Sequence, residues 1–275
     1  MKKVLLVAEI GINHNGDLNL AKKLIDVAAF GGCDYVKFQK RTIDIVYSKE
    51  ELDKYRESPW GTTNREQKHG LEFGEGAYDE IDRYCRGKNV GWFASPWDLQ
   101  SVDFLMRYEP PFIKVASASL TDIDLLNRIK RTGTKVILST GMSKKEELDN
   151  AITILGDNVE YILACTSTYP TLDDEMNMKF IRTLKKEYPE YKIGFSNHSP
   201  GIQFSLIAVA LGAEMLEFHI TLNRAMYGSD QAASIEPEGV IKIGKHARNI
   251  SKGMGTGEWT VFDSEEAIKQ KLRKS

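Results

Sequence analysis

Cysteine is scarce in this sequence and follows no pattern. The three cysteines among the 275 residues, Cys33, Cys85 and Cys165, are widely separated, odd in number and never spaced as Cys-x-x-Cys. This distribution argues against a disulfide framework and against a thiolate zinc site. A reducing, cytoplasmic setting is therefore expected.

Long apolar runs and a strong net charge are also missing. No stretch approaches the roughly 20 apolar residues that a membrane-spanning helix requires. The formal net charge of −2 gives no electrostatic reason to bind nucleic acid or an anionic membrane, so neither is an expected partner. With 41% hydrophobic residues and no low-complexity tract, the chain can bury a large core.

What the sequence does contain is a regular alternation of short apolar runs and helical patterns. The runs are continuously apolar, which is typical of parallel strands covered on both faces. Eight such pairs predict a single-domain α/β fold over residues 1–275, a (β/α)8 TIM barrel, with a doubly wound open sheet as the alternative. The predicted strands are 4–8, 35–38, 91–94, 112–116, 136–138, 161–164, 193–195 and 215–218, and the helices are 18–29, 76–86, 99–107, 123–130, 144–155, 176–186, 204–211 and 238–251.

One connection is much longer than the others. Residues 40–74 separate the second predicted strand from its helix, where two to six residues are usual. The segment leaves the carboxyl end of the strand, which is the catalytic side of barrel enzymes. We interpret it as a lid or a substrate-recognition loop, although an insertion without a role remains the alternative.

Polar residues recur where the predicted apolar strands end. In a barrel these positions share one rim, and burying such groups without a polar partner would cost several kcal/mol. They therefore predict a polar ligand at that rim. The residues are Glu9, Lys37, Gln39, Ser95, Lys114, Ser117, Ser139, Thr140, Thr166, Ser167, Tyr169, Ser196, His198, Glu217 and His219.

The residue types indicate two kinds of chemistry. Lys37 and Lys114 with the surrounding hydroxyls suit a phosphate or carboxylate group, although any single serine could instead be a helix cap. His198 and His219 end consecutive predicted strands, about 4.8 Å apart if the strands are neighbours, and could share one ion. Nitrogen and oxygen ligands suit Mn²⁺, Mg²⁺, Co²⁺ or Zn²⁺, and a hydrogen-bonded structural histidine is the alternative for each ring.

Seven short motifs closely resemble the sialic acid synthase family. They cover nearly the whole chain in the family's order, and the first motif and the two histidine motifs are the most specific. They are residues 9–16 (EIGINHNG), 36–39 (VKFQ), 113–117 (IKVAS), 138–142 (LSTGM), 165–170 (CTSTYP), 194–198 (GFSNH) and 219–222 (HITL).

The resemblance implies a reaction and a role for each matching residue. Members of that family use a (β/α)8 barrel and a divalent metal, with Mn²⁺ our first choice, to condense phosphoenolpyruvate with an N-acylmannosamine-type sugar, giving a nonulosonic acid. His198 and His219 then match the metal ligands, while Glu9, Glu217 and Lys114 are assigned to catalysis. The implied substrate-binding residues are Lys37, Gln39, Ser95, Ser117, Ser139, Ser167, Tyr169, Ser196 and Asp230.

Three departures from the family pattern bear on the acceptor sugar. Family members carry a C-terminal antifreeze-like domain that contributes an arginine and part of a dimer contact, and the chain is expected to lack it, so a homodimer is only a possibility. Gln231 stands where relatives often have histidine, and Phe218 where they usually have arginine or lysine. Substitutes for the missing arginine are expected among Arg41, Arg65 and Arg224.

Two other functions remain open from the sequence. One is a different barrel aldolase in which Lys114 forms a Schiff base, because a lysine on an apolar strand can have a lowered pKa. The other is a non-catalytic sugar-binding homologue. The acceptor itself, amino sugar or hexose, phosphorylated or not, is left undetermined.

Overall fold

The described structure, a computed structural model, covers residues 4–273, and residues 1–3, 274 and 275 of the expected domain lie outside it. The strands are β1 Leu5–Gly11, β2 Tyr35–Lys40, β3 Tyr55–Ser58, β4 Gly61–Thr63, β5 Gly91–Pro96, β6 Ile113–Val115, β7 Val136–Ser139, β8 Val159–Cys165, β9 Lys192–Asn197 and β10 Met215–His219. The helices are α1 Leu18–Phe30, α2 Ile43–Val46, α3 Lys49–Leu52, α4 Asn64–Leu71, α5 Glu75–Gly87, α6 Leu99–Met106, α7 Ile123–Lys130, α8 Lys145–Leu155, α9 Phe180–Glu187, α10 Gln203–Ala210, α11 Pro237–Gly253 and α12 Asp263–Leu272.

Eight of these strands close into a parallel barrel in the order β1-β10-β9-β8-β7-β6-β5-β2. Strand β1 completes the ring by pairing with β10 on one side and β2 on the other. The (β/α)8 prediction is confirmed, and the open-sheet alternative is wrong. Within residues 4–273, no helix has both the length and the apolar character needed to cross a bilayer.

The barrel interior changes from apolar to polar along each strand. Val7 and Met215 belong to a buried apolar cluster inside the barrel, together with Phe93, Ile137 and Leu163. Because side chains alternate across a strand, Glu9 lies on the same face as Val7, and Glu217 and His219 lie on the same face as Met215. The polar residues therefore form the upper layer of the interior, above an apolar floor.

The outer faces of the strands pack against the helices. Leu6, Ala8, Val36 and Phe218 are fully buried members of the main core cluster, which also contains the apolar faces of α1, α5, α7 and α11. Phe218 thus lies between barrel and helices. Its departure from the family pattern therefore fills the outer core and leaves the interior unchanged.

One helix begins later than the sequence predicts. Residues 176–186 were expected to be helical, but α9 starts at Phe180 after a short 3₁₀ turn, Asp173–Glu175. Asn177 has φ of +43°, in the left-handed region, so a right-handed helix cannot run through it. The prediction was wrong at this boundary because the apolar spacing continues across the break.

The long segment after β2 is a small folded insertion. It contains α2, α3, the β3-β4 hairpin and α4, whose first turn is closed by a capping box between Thr63 and Glu66. It packs closely on the loop after β1, because a Cβ at Gly16 would lie 1.9 Å from the carbonyl oxygen of Gly70. Trp60 also lies 5.8 Å from Tyr227, ring to ring, so the insertion reaches the loop after β10.

Candidate active site

A cavity of about 170 Å³ opens at the carboxyl ends of the barrel strands. The predicted site residues line it, except Thr140, Thr166 and Asp230. The hydroxyls of Thr140 and Thr166 donate instead to the carbonyl oxygens of Leu163 and Glu175, and the Asp230 carboxylate lies 3.8 Å from Nδ1 of His219. The lining residues that the sequence predicted are Glu9, Lys37, Gln39, Ser95, Lys114, Ser117, Ser139, Ser167, Tyr169, Ser196, His198, Glu217 and His219.

Two lysines and two glutamates form a buried ionic network at the base of this cavity. Lys37 Nζ lies 2.8 Å from Glu9 Oε2 and 3.8 Å from Glu217 Oε1, and Lys114 Nζ lies 3.6 Å from Glu217 Oε1. All four side chains are at least 95% buried. The pairing explains how the barrel tolerates these charges, since an unpaired buried ion would be costly.

The two carboxylates of the network differ in their preferred charge state. Burial raises the pKa of Glu9, and the nearby Lys37 only partly opposes this effect. Burial acts in the same direction on Glu217, but Lys114 and Lys37 outweigh it and hold the pKa of Glu217 below its usual range. Glu217 is therefore the fixed anion, and Glu9 is the carboxylate that can carry a proton.

Hydroxyl groups complete the anion-binding side of the cavity. Lys114 Nζ donates to Ser139 Oγ at 2.7 Å, and Lys37 Nζ donates to Ser95 Oγ at 3.3 Å. Gly141 lets the backbone approach the remaining hydroxyls, because a Cβ there would lie 2.1 Å from the Oγ atom of Ser167. The arrangement offers two ammonium groups and several hydroxyl donors to one anion.

The two histidine rings lie together above this network. Their centroids are 5.3 Å apart. Nδ1 of His198 lies 2.6 Å from the carbonyl oxygen of Thr166 and must donate to it, and Nε2 lies 2.9 Å from the Tyr169 hydroxyl. Although burial opposes it, Cys165 and the Thr166 carbonyl raise the pKa of His198. Burial lowers the pKa of His219 to about 3, so its ring is neutral, and its Nδ1 has no hydrogen-bond partner among residues 4–273.

These two rings fit a divalent ion. A histidine that ligates a metal usually donates its other ring N–H to a carbonyl or carboxylate, as His198 does to Thr166. Nδ1 of His219 is buried and makes no hydrogen bond with the described residues, so it is free to serve as a second metal ligand. No group of three or more His, Cys, Asp or Glu side chains suited to a metal occurs in the described part of the chain, so substrate or water oxygens would complete the coordination.

Five residues of the cavity lining were not predicted as site residues. They are Trp97, Ala116, Ala118, Met142 and Cys165. Cys165 occurs in a family motif but was considered only for its spacing. Although burial favours the thiol, His198 and Lys114 lower the pKa of Cys165 to about 7. Trp97 and Met142 lie on loops, where the strand-end argument gives no signal.

Two buried polar residues near the cavity, His14 and Gln231, have structural roles. The buried His14 ring stacks on Phe73 of the insertion at 4.0 Å and accepts from the Gly16 amide. Gln231 is buried, accepts from the Thr221 hydroxyl and donates to the carbonyl oxygens of Asn13 and Tyr227. Gln231 therefore holds the loop after β10 against the loop after β1.

The three arginines considered as substitutes for the family's arginine differ in their contacts. Arg65 forms ion pairs with Asp44 and Asp53, and Arg224 pairs with Glu236 at 3.7 Å. Arg41 instead lies 4.3 Å over the Trp97 ring and donates to Oε1 of Gln39. Of the three, Arg41 is the one that touches the cavity lining.

Comparison with known proteins agrees with this geometry. The model of the NeuB family matches residues 24–259. The chain is 37% identical to the N,N'-diacetyllegionaminic acid synthase of Campylobacter jejuni, covering 100% of this chain and 84% of that protein. It is 35% identical to human N-acetylneuraminate-9-phosphate synthase, covering 98% and 76%.

A solved structure shares the architecture closely. The crystal structure of N-acetylneuraminic acid synthetase from Leptospira borgpetersenii superposes with a TM-score of 0.86 at 31% identity, covering 100% of this chain and 94% of that one. A protein described as a putative spore coat polysaccharide biosynthesis protein E, from Chromobacterium violaceum, gives 0.85 at 26% identity.

Proposed function

The chain belongs to the NeuB family, and from this premise we propose that it condenses phosphoenolpyruvate with an open-chain N-acylmannosamine-type sugar. The products are a nonulosonic acid and inorganic phosphate. The observation that carries the proposal is that one cavity contains both a pocket with two lysines and two adjacent imidazole rings, His198 and His219. Relatives named as synthases of such acids support the same reaction class.

The anion pocket is assigned to phosphoenolpyruvate. Lys114 with Ser139, and Lys37 with Ser95, offer charge-assisted hydrogen bonds to its phosphate and carboxylate oxygens. Ser117, Ser167 and Ser196 complete this set at the cavity wall. Fixing both anionic groups orients C3 of the donor toward the acceptor, and such positioning supplies much of the rate in a two-substrate reaction.

The acceptor aldehyde is assigned to the region of His198 and His219. These residues would hold a divalent ion, which when bound polarises the aldehyde oxygen as a Lewis acid. Tyr169 and Asp230 flank the two rings, 2.9 Å from His198 and 3.8 Å from His219. Because the Tyr169 hydroxyl contacts Nε2 of His198, it must yield this nitrogen when an ion binds.

The bonds that form and break follow from these positions. C3 of phosphoenolpyruvate forms a bond to the aldehyde carbon, and the aldehyde oxygen becomes a hydroxyl after it takes up a proton. Water adds to C2, and as the bond between C2 and the bridging oxygen breaks, the water oxygen becomes the keto oxygen of the product; of its two protons, one is taken up by the former aldehyde oxygen and one leaves with the phosphate. Glu9 is the group assigned to proton transfer, because burial favours its protonated form, while Glu217 keeps both lysines charged and in place.

The experiment is a phosphate-release assay on the purified protein. Phosphoenolpyruvate and Mn²⁺ are combined with N-acetylmannosamine, mannose, a diacetamido sugar and their available 6-phosphates. We expect phosphate release only with an acceptor present and in equal amount to the sugar acid formed. Phosphate release that is independent of any acceptor, or the absence of release with every acceptor, contradicts the proposal.

One observation favours a second candidate, an aldolase that uses Lys114 as a Schiff base. Burial lowers the pKa of Lys114, and the nearby Glu217 only partly opposes this effect. Borohydride trapping of pyruvate on Lys114, without phosphate release from phosphoenolpyruvate, would support this candidate. The donation from Lys114 to Ser139 and the neighbouring Lys37 instead favour an anion-binding role. The presence of both histidines argues against a non-catalytic homologue.

We further infer that the catalytic unit is a single barrel domain acting in the cytoplasm. The three free thiols, Cys33, Cys85 and Cys165, are in keeping with a reducing compartment.

Mn²⁺ is the proposed ion, and a homodimer is the proposed assembly. Metal content after purification and size-exclusion chromatography with light scattering test these two points.

A further inference from the structure

The insertion carries two partly buried cations that form no ion pair within 4.0 Å among residues 4–273, Arg41 and Lys68. Arg65, on the same insertion, is paired with Asp44 and Asp53. The nearest carboxylate contact of Arg41 is made by its backbone amide, which donates to Oε1 of Glu72 at 3.1 Å and leaves the guanidinium without an ion pair.

Aromatic rings hold these two cations in place. The Arg41 guanidinium lies 4.3 Å over Trp97, which lines the cavity, and Lys68 Nζ lies 4.9 Å over Tyr47. The charge of Arg41 also acts on the Tyr47 hydroxyl, whose pKa burial raises and Arg41 partly lowers, so both cations lie near this side chain. Cation–π contacts orient a positive charge without cancelling it.

The pair is connected to both parts of the proposed active site. Arg41 donates to Oε1 of Gln39, whose Nε2 in turn donates to Glu9 at 3.0 Å, and Glu9 pairs with Lys37 of the anion pocket. Lys68 interacts electrostatically with Asp230, which lies beside His219. The link through Asp230 is the one that connects the pair to the proposed acceptor region.

The positive charges of Arg41 and Lys68 are only partly compensated by their surroundings. Nε of Arg41 is buried without a hydrogen-bond partner among the described residues. The pKa of Lys68 is lowered, first by burial and then by the positive charges of Arg41 and Arg56, while Asp230 only partly opposes this. An anion bound here would relieve the repulsion between the cations, whereas a neutral hydroxyl or amide would not.

We propose that Arg41 and Lys68 bind an anionic group of the acceptor, a phosphate monoester at the end of the sugar remote from its aldehyde. This inference rests on the proposed function. An extended open-chain hexose places C1 and C6 at opposite ends, so an aldehyde near the histidines leaves the C6 substituent free to reach the insertion. The acceptor class is then an N-acylhexosamine 6-phosphate.

The test compares two acceptors on wild type and variants. Steady-state kcat/KM is measured with N-acetylmannosamine and with N-acetylmannosamine 6-phosphate, at saturating phosphoenolpyruvate and Mn²⁺. We expect wild type to prefer the phosphorylated acceptor by at least about tenfold, the size of a lost charged hydrogen bond. Lys68→Gln is expected to remove most of that preference, while kcat/KM for the unphosphorylated sugar stays within about twofold.

Lys54→Gln is the matched control. Lys54 lies on the same insertion but is exposed and paired with Glu51, so this variant is expected to keep the wild-type preference. Lys68→Arg, which keeps the positive charge, is expected to retain more of the preference for the phosphorylated acceptor than Lys68→Gln does. Thermal melting of each variant establishes that it is folded.

The outcomes separate this inference from the function on which it rests. Wild-type turnover that is equal with both acceptors, or better without the phosphate, overturns the inference and leaves the condensing activity intact. An equal loss of preference in Lys68→Gln and Lys54→Gln overturns it as well. Failure of both acceptors and of every other sugar in the panel overturns the proposed function and the inference together.

Discussion

The positively charged side chains at the base of the cavity and those on the insertion have different kinds of neighbours. At the base, Lys37 and Lys114 come from barrel strands and are each within 4.0 Å of a buried carboxylate. On the insertion, Arg41 and Lys68 come from connecting segments and rest on aromatic rings. The strand-borne charges are fixed by ion pairs, whereas Arg41 and Lys68 form no ion pair among the residues that the structure describes.

This difference indicates how one barrel can keep the same reaction while its specificity for the acceptor changes. Groups on strand ends hold their geometry because the closed sheet holds their backbone. Groups on an insertion can change with little cost to the barrel. We therefore expect mutations at the base to affect the donor or the chemistry, and mutations in the insertion to affect the acceptor.

The largest effect is expected at the histidine pair. His198→Ala or His219→Ala removes a proposed metal ligand, and kcat/KM should fall by about 10³-fold or more because Lewis-acid stabilisation is worth several kcal/mol. The melting temperature should change little. A chelator should inactivate wild type but leave the residual rate of the variants unchanged, and His246→Ala, at an exposed position on α11, serves as the control. Near-normal turnover in either variant would remove the metal role.

A somewhat smaller effect is expected from Lys114→Met. It removes one buried partner of Glu217, so we expect a loss of about 3 kcal/mol in unfolding free energy and a fall of about 10²-fold in kcat/KM for phosphoenolpyruvate. Chemical denaturation and initial-rate kinetics measure the two. The double variant Lys114→Met/Glu217→Gln should recover stability but no activity. Recovery of both would show that Lys114 has only a structural role.

Gly141→Ala tests the donor pocket without changing its charge. The added methyl would lie 2.1 Å from Ser167 Oγ and 2.7 Å from Ser117 Oγ, so both hydroxyls must move. We expect KM for phosphoenolpyruvate to rise about tenfold, with KM for the acceptor nearly unchanged. Gly76→Ala, where nothing lies within 4 Å of the new Cβ, is the matched control. An unaltered donor KM in Gly141→Ala would place the donor elsewhere.

The smallest effect is expected from Trp60→Ala on the insertion. Loss of the contact with Tyr227 should loosen the insertion and raise KM for the acceptor a few-fold, with the donor KM unaffected. Tyr55→Ala, on the same hairpin at a 77% exposed position, should leave both constants unchanged. A change confined to the donor KM would contradict the division of roles between base and insertion.

The barrel and most of the cavity lining could be predicted because both follow from backbone regularity. Continuous apolar runs predict parallel strands, and alternation within a strand places Glu217 and His219 on the face of Met215. Trp97 and Met142 lacked such a signal, because they lie on loops whose geometry is set by tertiary contacts. Cys165 is the last residue of β8, so the strand-end argument applied to its position, but the contacts that lower its pKa come from the tertiary structure.

The pairing of charges could not be predicted from sequence for the same reason. Arg41, Arg65 and Arg224 were equivalent candidates in the sequence. Only the fold places Asp44 beside Arg65 and Glu236 beside Arg224, leaving Arg41 on Trp97. The helical pattern at 176–186 failed because apolar spacing does not report the backbone break at Asn177.

The most direct test of the condensing site uses phosphoenolpyruvate labelled with ¹⁸O at the bridging oxygen, with Mn²⁺ and an accepted sugar. Cleavage between carbon and oxygen sends the label into inorganic phosphate, and mass spectrometry should find one labelled phosphate for each nonulosonic acid formed. Label retained in the organic product, or phosphate formed without the sugar acid, would contradict the account.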